Sequence, residues 1–241
     1  MAANVFGNPV TDDTVRLVYP GIQKITAKHR AEVALMYKNA EDKHVNVNRY
    51  VHNLKASYGT GTSTLCMIYN ATGGNLTFSS TYNWDGQVWQ SPYPPMIQNG
   101  QWAGFLHVRS RLVGPSKAAV VYSGRNNDGS GCDWMLAWNT KRLNYDNRVY
   151  TEIRGAGHFN VNRWDYINSL LKQQSNNHSD TWNGCYSIIS VGGGSSPALE
   201  ATMTLADLDA KFMEIARAIA MPEGLDSKTV DDDGDAEAPA E

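Results

Sequence analysis

Apolar residues in this chain fall in short runs separated by turn chemistry. Leu65-Cys66-Met67-Ile68-Tyr69-Asn70 is a run of strand formers that stops at Ala71-Thr72-Gly73-Gly74. Leu76 to Tyr82 resumes with alternating character, and Trp102 to Val108 follows an Asn99-Gly100 turn. Ala118 to Tyr122, Cys132 to Asn139, Arg148 to Ile153 and Tyr186 to Val191 continue the series. Ser123-Gly124 with the polar loop 125–131 closes the Ala118 run, and Gly192 to Pro197 closes the last. Strand-length runs at this spacing, with Gly, Asn and Pro between them, predict an antiparallel β-sandwich or barrel. No helical pattern of 10–15 residues lies between them, which argues against a parallel α/β sheet.

Helical periodicity flanks this β region. Thr26 is placed to cap a helix from about Ala27 to Asn39, with Ala31, Ala34, Leu35 and Met36 as its apolar stripe. Asn46 would cap a second from about Val47 to Ser57, where Tyr50, Val51 and Leu54 share a face and Gly59 suits the C-terminal cap. Residues 1–25 read as a loop or edge segment, and Arg163 to Gln173 as a short helix or a bent strand. Ser175 to Asp180 reads as polar loop. Leu205, Leu208, Phe212, Ile215 and Ile219 recur at three- and four-residue spacing, predicting a helix from about Leu205 to Ala220, started by Thr204 and Asp207 and ended by Pro222. The expected organisation is an N-terminal segment with a helical pair over 1–61, a β-sandwich over 62–200, an amphipathic helix over 201–221 and a disordered acidic tail over 222–241.

Charge sharpens the last boundary. Pro222 to Glu241 holds eight acidic residues and Lys228, a net −7, so residues 1–221 carry +4 within a chain of net −3. No Lys/Arg cluster of the kind that follows phosphates along a nucleic acid is present, so nucleic acid is not an expected partner. The start Met-Ala-Ala-Asn-Val-Phe-Gly lacks a basic and then apolar leader. Cys66, Cys132 and Cys185 are odd in number and far apart, which suits reduced, buried thiols. A cytoplasmic or nucleocytoplasmic protein is the expectation, with no oligomeric state implied.

Candidate chemistry is sparse. Gly192-Gly-Gly-Ser-Ser196 lacks the Lys-Ser/Thr that a phosphate loop needs and reads as a connection. Asp128-Gly-Ser-Gly131 lacks the glycine two residues before a nucleophilic serine. His107, His158 and Asp133 could be imagined around Cys132, but nothing in the spacing gathers them. The six histidines show no metal-ligand spacing, so neither an enzyme nor a cofactor is expected. The aromatics divide into two groups. Trp102, Trp134 and Trp138 sit within strand runs and read as core. Trp84, Trp89, Tyr93 and Tyr145 sit among Asn, Asp, Gly and Pro, where rings with an apolar body and a polar tip suit a lipid–water interface or stacking on sugars.

The segments Asn99 to Val108, Cys132 to Trp138, Val149 to Ile153 and Trp164 to Ile167, with the opening Val5-Phe-Gly-Asn-Pro9, resemble the plant jasmonate-induced proteins. More remotely, the order Asn70-x-Thr72, Pro94-Pro95-x-Ile97-x-x-Gly100, Lys117 to Tyr122, Met135 to Trp138 and Tyr145-x-Asn147 is similar to actinoporin-like sandwiches, including non-lytic lectins and sphingolipid binders. These resemblances imply a stress-responsive plant protein built as an actinoporin-like, mainly β sandwich flanked by two N-terminal helices and one C-terminal helix. They also imply a glycan or phosphocholine-type lipid head group as partner and peripheral membrane contact. Tyr145 matches a head-group tyrosine of the second group, with Asn147 beside it. The group's preceding serine and proline fall near Asn139 and Lys141 here, so its choline pocket is not spelled out in this chain. Residues 1–25 hold prolines and glycines and no continuous apolar face, so pore formation is not expected. The competing reading is a protein-interaction or storage-like protein acting through the C-terminal helix and acidic tail. Its mark would be an apolar helix face left unpacked.

Overall fold

A computed structural model of the chain describes residues 4–110, 114–141, 146–160 and 163–218. Tyr145, Ile219 and the acidic tail expected over 222–241 lie outside the described residues. The strands are β1 (Val5–Phe6), β2 (Ser63–Ala71), β3 (Leu76–Asp85), β4 (Gln87–Val88), β5 (Met96–Ile97), β6 (Trp102–Val108), β7 (Ser116–Arg125), β8 (Gly131–Thr140), β9 (Arg148–Gly155), β10 (Asn177–Trp182), β11 (Cys185–Val191) and β12 (Ala198–Leu205). The helices are α1 (Asp12–Val18), α2 (Ala27–Met36), α3 (Lys43–Tyr58), α4 (Trp164–Leu171) and α5 (Ala210–Arg217).

Two sheets face each other. The first runs β1-β6-β2-β12-β11-β10, with β4 also on β6, and the second runs β5-β3-β7-β8-β9. Among the described strands every pairing is antiparallel except β12 with β2, which brings Glu200 opposite Met67 and Thr202 opposite Tyr69. The strand alternation explains the unbroken apolar runs. On β8, Cys132, Trp134, Leu136 and Trp138 point between the sheets, while Met135 and Ala137 point outward beneath α4. On β2, Cys66 and Ile68 point between the sheets, while Leu65, Met67 and Tyr69 meet the helical layer. A strand covered on both faces has no reason to carry polar residues at every second position.

Helices α1, α2, α3 and α5 contribute to a core over the outer face of the first sheet, where Val33, Leu35, Val47, Val51 and Phe212 join Trp102 and Leu106. The close seating of α3 depends on Gly104 of β6. A Cβ there would lie 2.8 Å from Val47 Cγ2 and 3.1 Å from Val51 Cγ1.

Several expectations are corrected. Residues 12–18, read as loop, form α1, capped by the Thr11 side chain on Thr14 N. Residues 177–182 form β10, where 175–180 were read as loop. Residues 198–205 form a strand, although 201–205 were expected to open the C-terminal helical segment. Thr204 and Leu205 therefore end a strand, and the last helix begins at Ala210 after an Asp209 N-cap. The segment 163–173 settles as helix α4. The apolar face of α5 is packed, with Phe212, Met213 and Ala216 buried against the helical layer. The unpacked face that would mark the interaction reading is thus absent from this helix.

The free edge of β9 is closed by side chains. Ile153 N donates to Asp180 Oδ2 at 2.7 Å and Thr151 N to His178 Nδ1 at 3.3 Å, both acceptors on β10. Val149 N donates to the Ser175 carbonyl at 3.0 Å. The two sheets are thereby joined along this side without a shared backbone ladder.

Candidate functional site

Two residues apart on β3, Tyr82 and Trp84 both reach the outer face of the second sheet. A register irregularity between Asn83 and Asp85 places Trp84 at a bulge, which re-aims a side chain that regular pairing would fix. Helix α4 packs on the same face by burying Ile167 and Leu171. That packing carries Trp164 onto the strand aromatics. Tyr82 and Trp164 stack at 5.2 Å and 13° between planes, and Trp84 meets Tyr82 edge-on at 5.4 Å and Trp164 at 6.3 Å. Tyr82 remains 38% exposed and Tyr166, further along α4, 50% exposed.

Cations border this aromatic surface. Lys117 of β7 holds its ammonium 5.5 Å from the Trp84 ring centroid and donates to Asn168 Oδ1 at 2.5 Å. Burial lowers its pKa, and the neighbouring charges of Lys172 and Lys141 lower it further. Lys117, Asn139 and Arg148 are in register across β7, β8 and β9 and so share a face. Asp146 pairs with both Lys141 at 3.5 Å and Arg148 at 2.6 Å. The result is a shelf of three rings, Tyr82 exposed and Trp84 and Trp164 partly buried, edged by amine and guanidinium groups and able to receive an apolar or planar group and an anion side by side.

Of the residues anticipated from sequence, Trp84 lies in this shelf. Trp89 packs edge-on against Tyr58 at 5.2 Å in the helical layer. Tyr93 stacks on Phe78 at 5.5 Å and meets Phe105 at 4.8 Å, and burial pushes its hydroxyl pKa up. Asn147 is 4% exposed. Its side-chain amide donates to the Gly192 and Gly194 carbonyls and accepts from Lys141 N, tying the 192–196 loop to the start of β9. Sequence reasoning missed Tyr82, Trp164, Lys117 and Asn168. The spacing of two between Tyr82 and Trp84 and of four between Trp164 and Asn168 was an available signal for a strand face and a helix face.

The imagined catalytic group is dispersed. Cys132 points between the sheets against Cys185, Sγ to Sγ 3.5 Å. Asp133 accepts from Ser123 Oγ and from Gly157 N. His107 lies at the far end of β8, edge-on to Trp138. Among the described residues no group of three or more His, Cys, Asp or Glu could hold a metal ion.

Comparison with known proteins agrees with this architecture. A solved structure described as the lipid binding protein Nakanori superposes with a TM-score of 0.75 at 26% identity, covering 83% of this chain and 98% of that one. The 23 kDa jasmonate-induced protein of Hordeum vulgare is 41% identical over 200 residues, 81% of this chain and 95% of the relative. A jasmonate-induced protein homolog of Atriplex canescens is 32% identical over 122 residues, 49% of this chain and 65% of the relative. The match to the solved structure bears out the actinoporin-like sandwich. The model of the Nakanori-like protein family matches residues 6–206, and the chain belongs to that family.

Proposed function

We propose that this is a non-enzymatic, stress-responsive plant protein that binds a lipid head group at a membrane surface. The shelf of an exposed Tyr82 clustered with the partly buried Trp84 and Trp164, with Lys117 beside them, carries this reading. Rings at a surface rarely cluster without a use, because each gains more from burial than from display. The relative described as a lipid binding protein and the jasmonate-induced relatives supply the functional class. Among the described residues no helix is long and apolar enough to cross a bilayer, so the proposed contact is peripheral. Three buried free thiols support a reducing compartment, and we place the protein in the cytoplasm.

The test is vesicle co-sedimentation of the parent against Tyr82→Ala and Trp164→Ala. The reading requires binding by the parent and a loss in both variants. A parent that sediments with no vesicle but labels a glycan array would move the proposal to a sugar ligand stacked on the same rings.

A further inference from the structure

The charges around the shelf specify more than a head group. Trp84 presents the ring face on which a quaternary ammonium would sit, and Lys117 already holds its own ammonium over that ring at 5.5 Å. Lys117 has no carboxylate partner among the described residues, and its hydrogen bond goes to the neutral Asn168 amide. Lys172 is likewise without a carboxylate, while Lys141 and Arg148 divide the single charge of Asp146. Of the carboxylates nearby, Asp146 alone is ion-paired with any of these four cations among the described residues, while Asp165 on the Trp164 helix and Asp85 opposite Lys117 are not. A half-buried, uncompensated ammonium is a costly arrangement that an arriving anion relieves.

We infer that the head group taken by this surface is anionic: a lipid phosphate with no compensating cation, seated against Lys117 and Lys141, with the neighbouring rings in the interface. A choline-bearing lipid would bring its cation to a place a lysine occupies. A phosphatidic acid or other phosphate-terminated lipid meets matching charge. The inference rests on the proposed reading of this face as a head-group site.

Full-length protein is sedimented with three vesicle types: phosphatidylcholine alone, sphingomyelin with cholesterol, and phosphatidylcholine doped with phosphatidic acid. Binding is expected only to the third, falling as sodium chloride is raised. Lys117→Gln and Lys141→Gln should each weaken it by about fivefold, as one basic residue at an anionic surface contributes. Lys24→Gln, which removes the same charge from an exposed residue elsewhere, should leave it unchanged. Lys141 is 40% exposed in its side chain, so its variant carries the test should Lys117→Gln fail to fold. Equal binding to all three vesicle types, with both variants like the parent, overturns the anionic inference and leaves the head-group reading standing. So does a Lys24→Gln loss as large as theirs, which would mean undirected attraction. Binding to none of the three overturns both.

Discussion

Tyr82 and Trp164 lie face to face at 5.2 Å, one on a strand and the other on a helix that reaches the strand only through tertiary packing. The pair separates display from scaffold, and the two roles respond differently to truncation. Tyr82→Ala removes a ring that is 38% exposed and should lower stability by under about 1 kcal/mol. Its loss from a binding surface should weaken vesicle binding by about 2 kcal/mol or more. Trp138→Ala deletes a ring that is 1% exposed between the sheets and should lower stability by about 3–5 kcal/mol. Thermal melts and a vesicle titration read both quantities. A Tyr82→Ala protein that melts early yet binds like the parent would make Tyr82 scaffold.

Gly104→Val should loosen the helical layer. The new side chain would enter space held by Val47 and Val51 of α3, where even a Cβ approaches within 2.8 Å. Overpacking of this kind costs about 1–3 kcal/mol. Denaturant titration should show a lower midpoint, and amide exchange should quicken in α3 before the facing sheets. Unchanged protection of α3 would contradict the packing described.

Acid should act early through His107. Its ring is buried, with Nδ1 2.8 Å from Ser116 Oγ and Nε2 3.2 Å from Asn83 Oδ1. Burial pulls the pKa down to about 3, with only a small opposing effect from Asp85. The unfolded chain takes up this proton near pH 6.5 and the folded one does not, so stability falls as pH drops from about 6.5 towards 3. Between pH 6.5 and 5 the loss from this group should reach about 1.5 kcal/mol. Denaturant midpoints at the two pH values, compared with those of His107→Gln, isolate it. An equal slope in the variant would assign the acid sensitivity to other groups.

The cysteines should be silent until the fold opens. All three are free and buried, and although Cys132 and Cys185 lie 3.5 Å apart they are thiols. Ellman's reagent should find none in the native protein and three in denaturant. Adding reductant should leave the melting temperature within about 2 °C, whereas loss of a structural bridge would lower it much further.

Sequence disclosed Leu76–Tyr82 by its alternation and the central strands by being buried on both faces. Trp102–Val108 and Cys132–Asn139 are continuous apolar runs because helices and the facing sheet cover them. Strand β12 was hidden by Glu200, Thr202 and Thr204, polar residues on a face that is nonetheless buried. Glu200 can sit there because His44 of α3 meets it at 2.8 Å, a partner remote in sequence. Strand β10 was hidden because its side chains serve as hydrogen-bond acceptors for β9 and carry no apolar alternation. At the shelf, Trp84 was legible as a ring without a core, but Trp89 and Tyr93 have the same polar, turn-forming neighbours and fold inward. Local composition marks where a chain can turn. It does not say which way the ring points after the turn.

Backbone pairing is indifferent to which residues take part, so it survives most substitutions. The seam between β9 and β10 has no such protection. Its acceptors are the Asp180 carboxylate and the His178 imidazole, and each is one codon change from losing the bond. Without them, the amides of Thr151 and Ile153 would form a bare strand margin, which is a template for a second chain. Loss of Asp180 or His178 is therefore expected to favour self-association through β9, although neither residue belongs to the strand it guards.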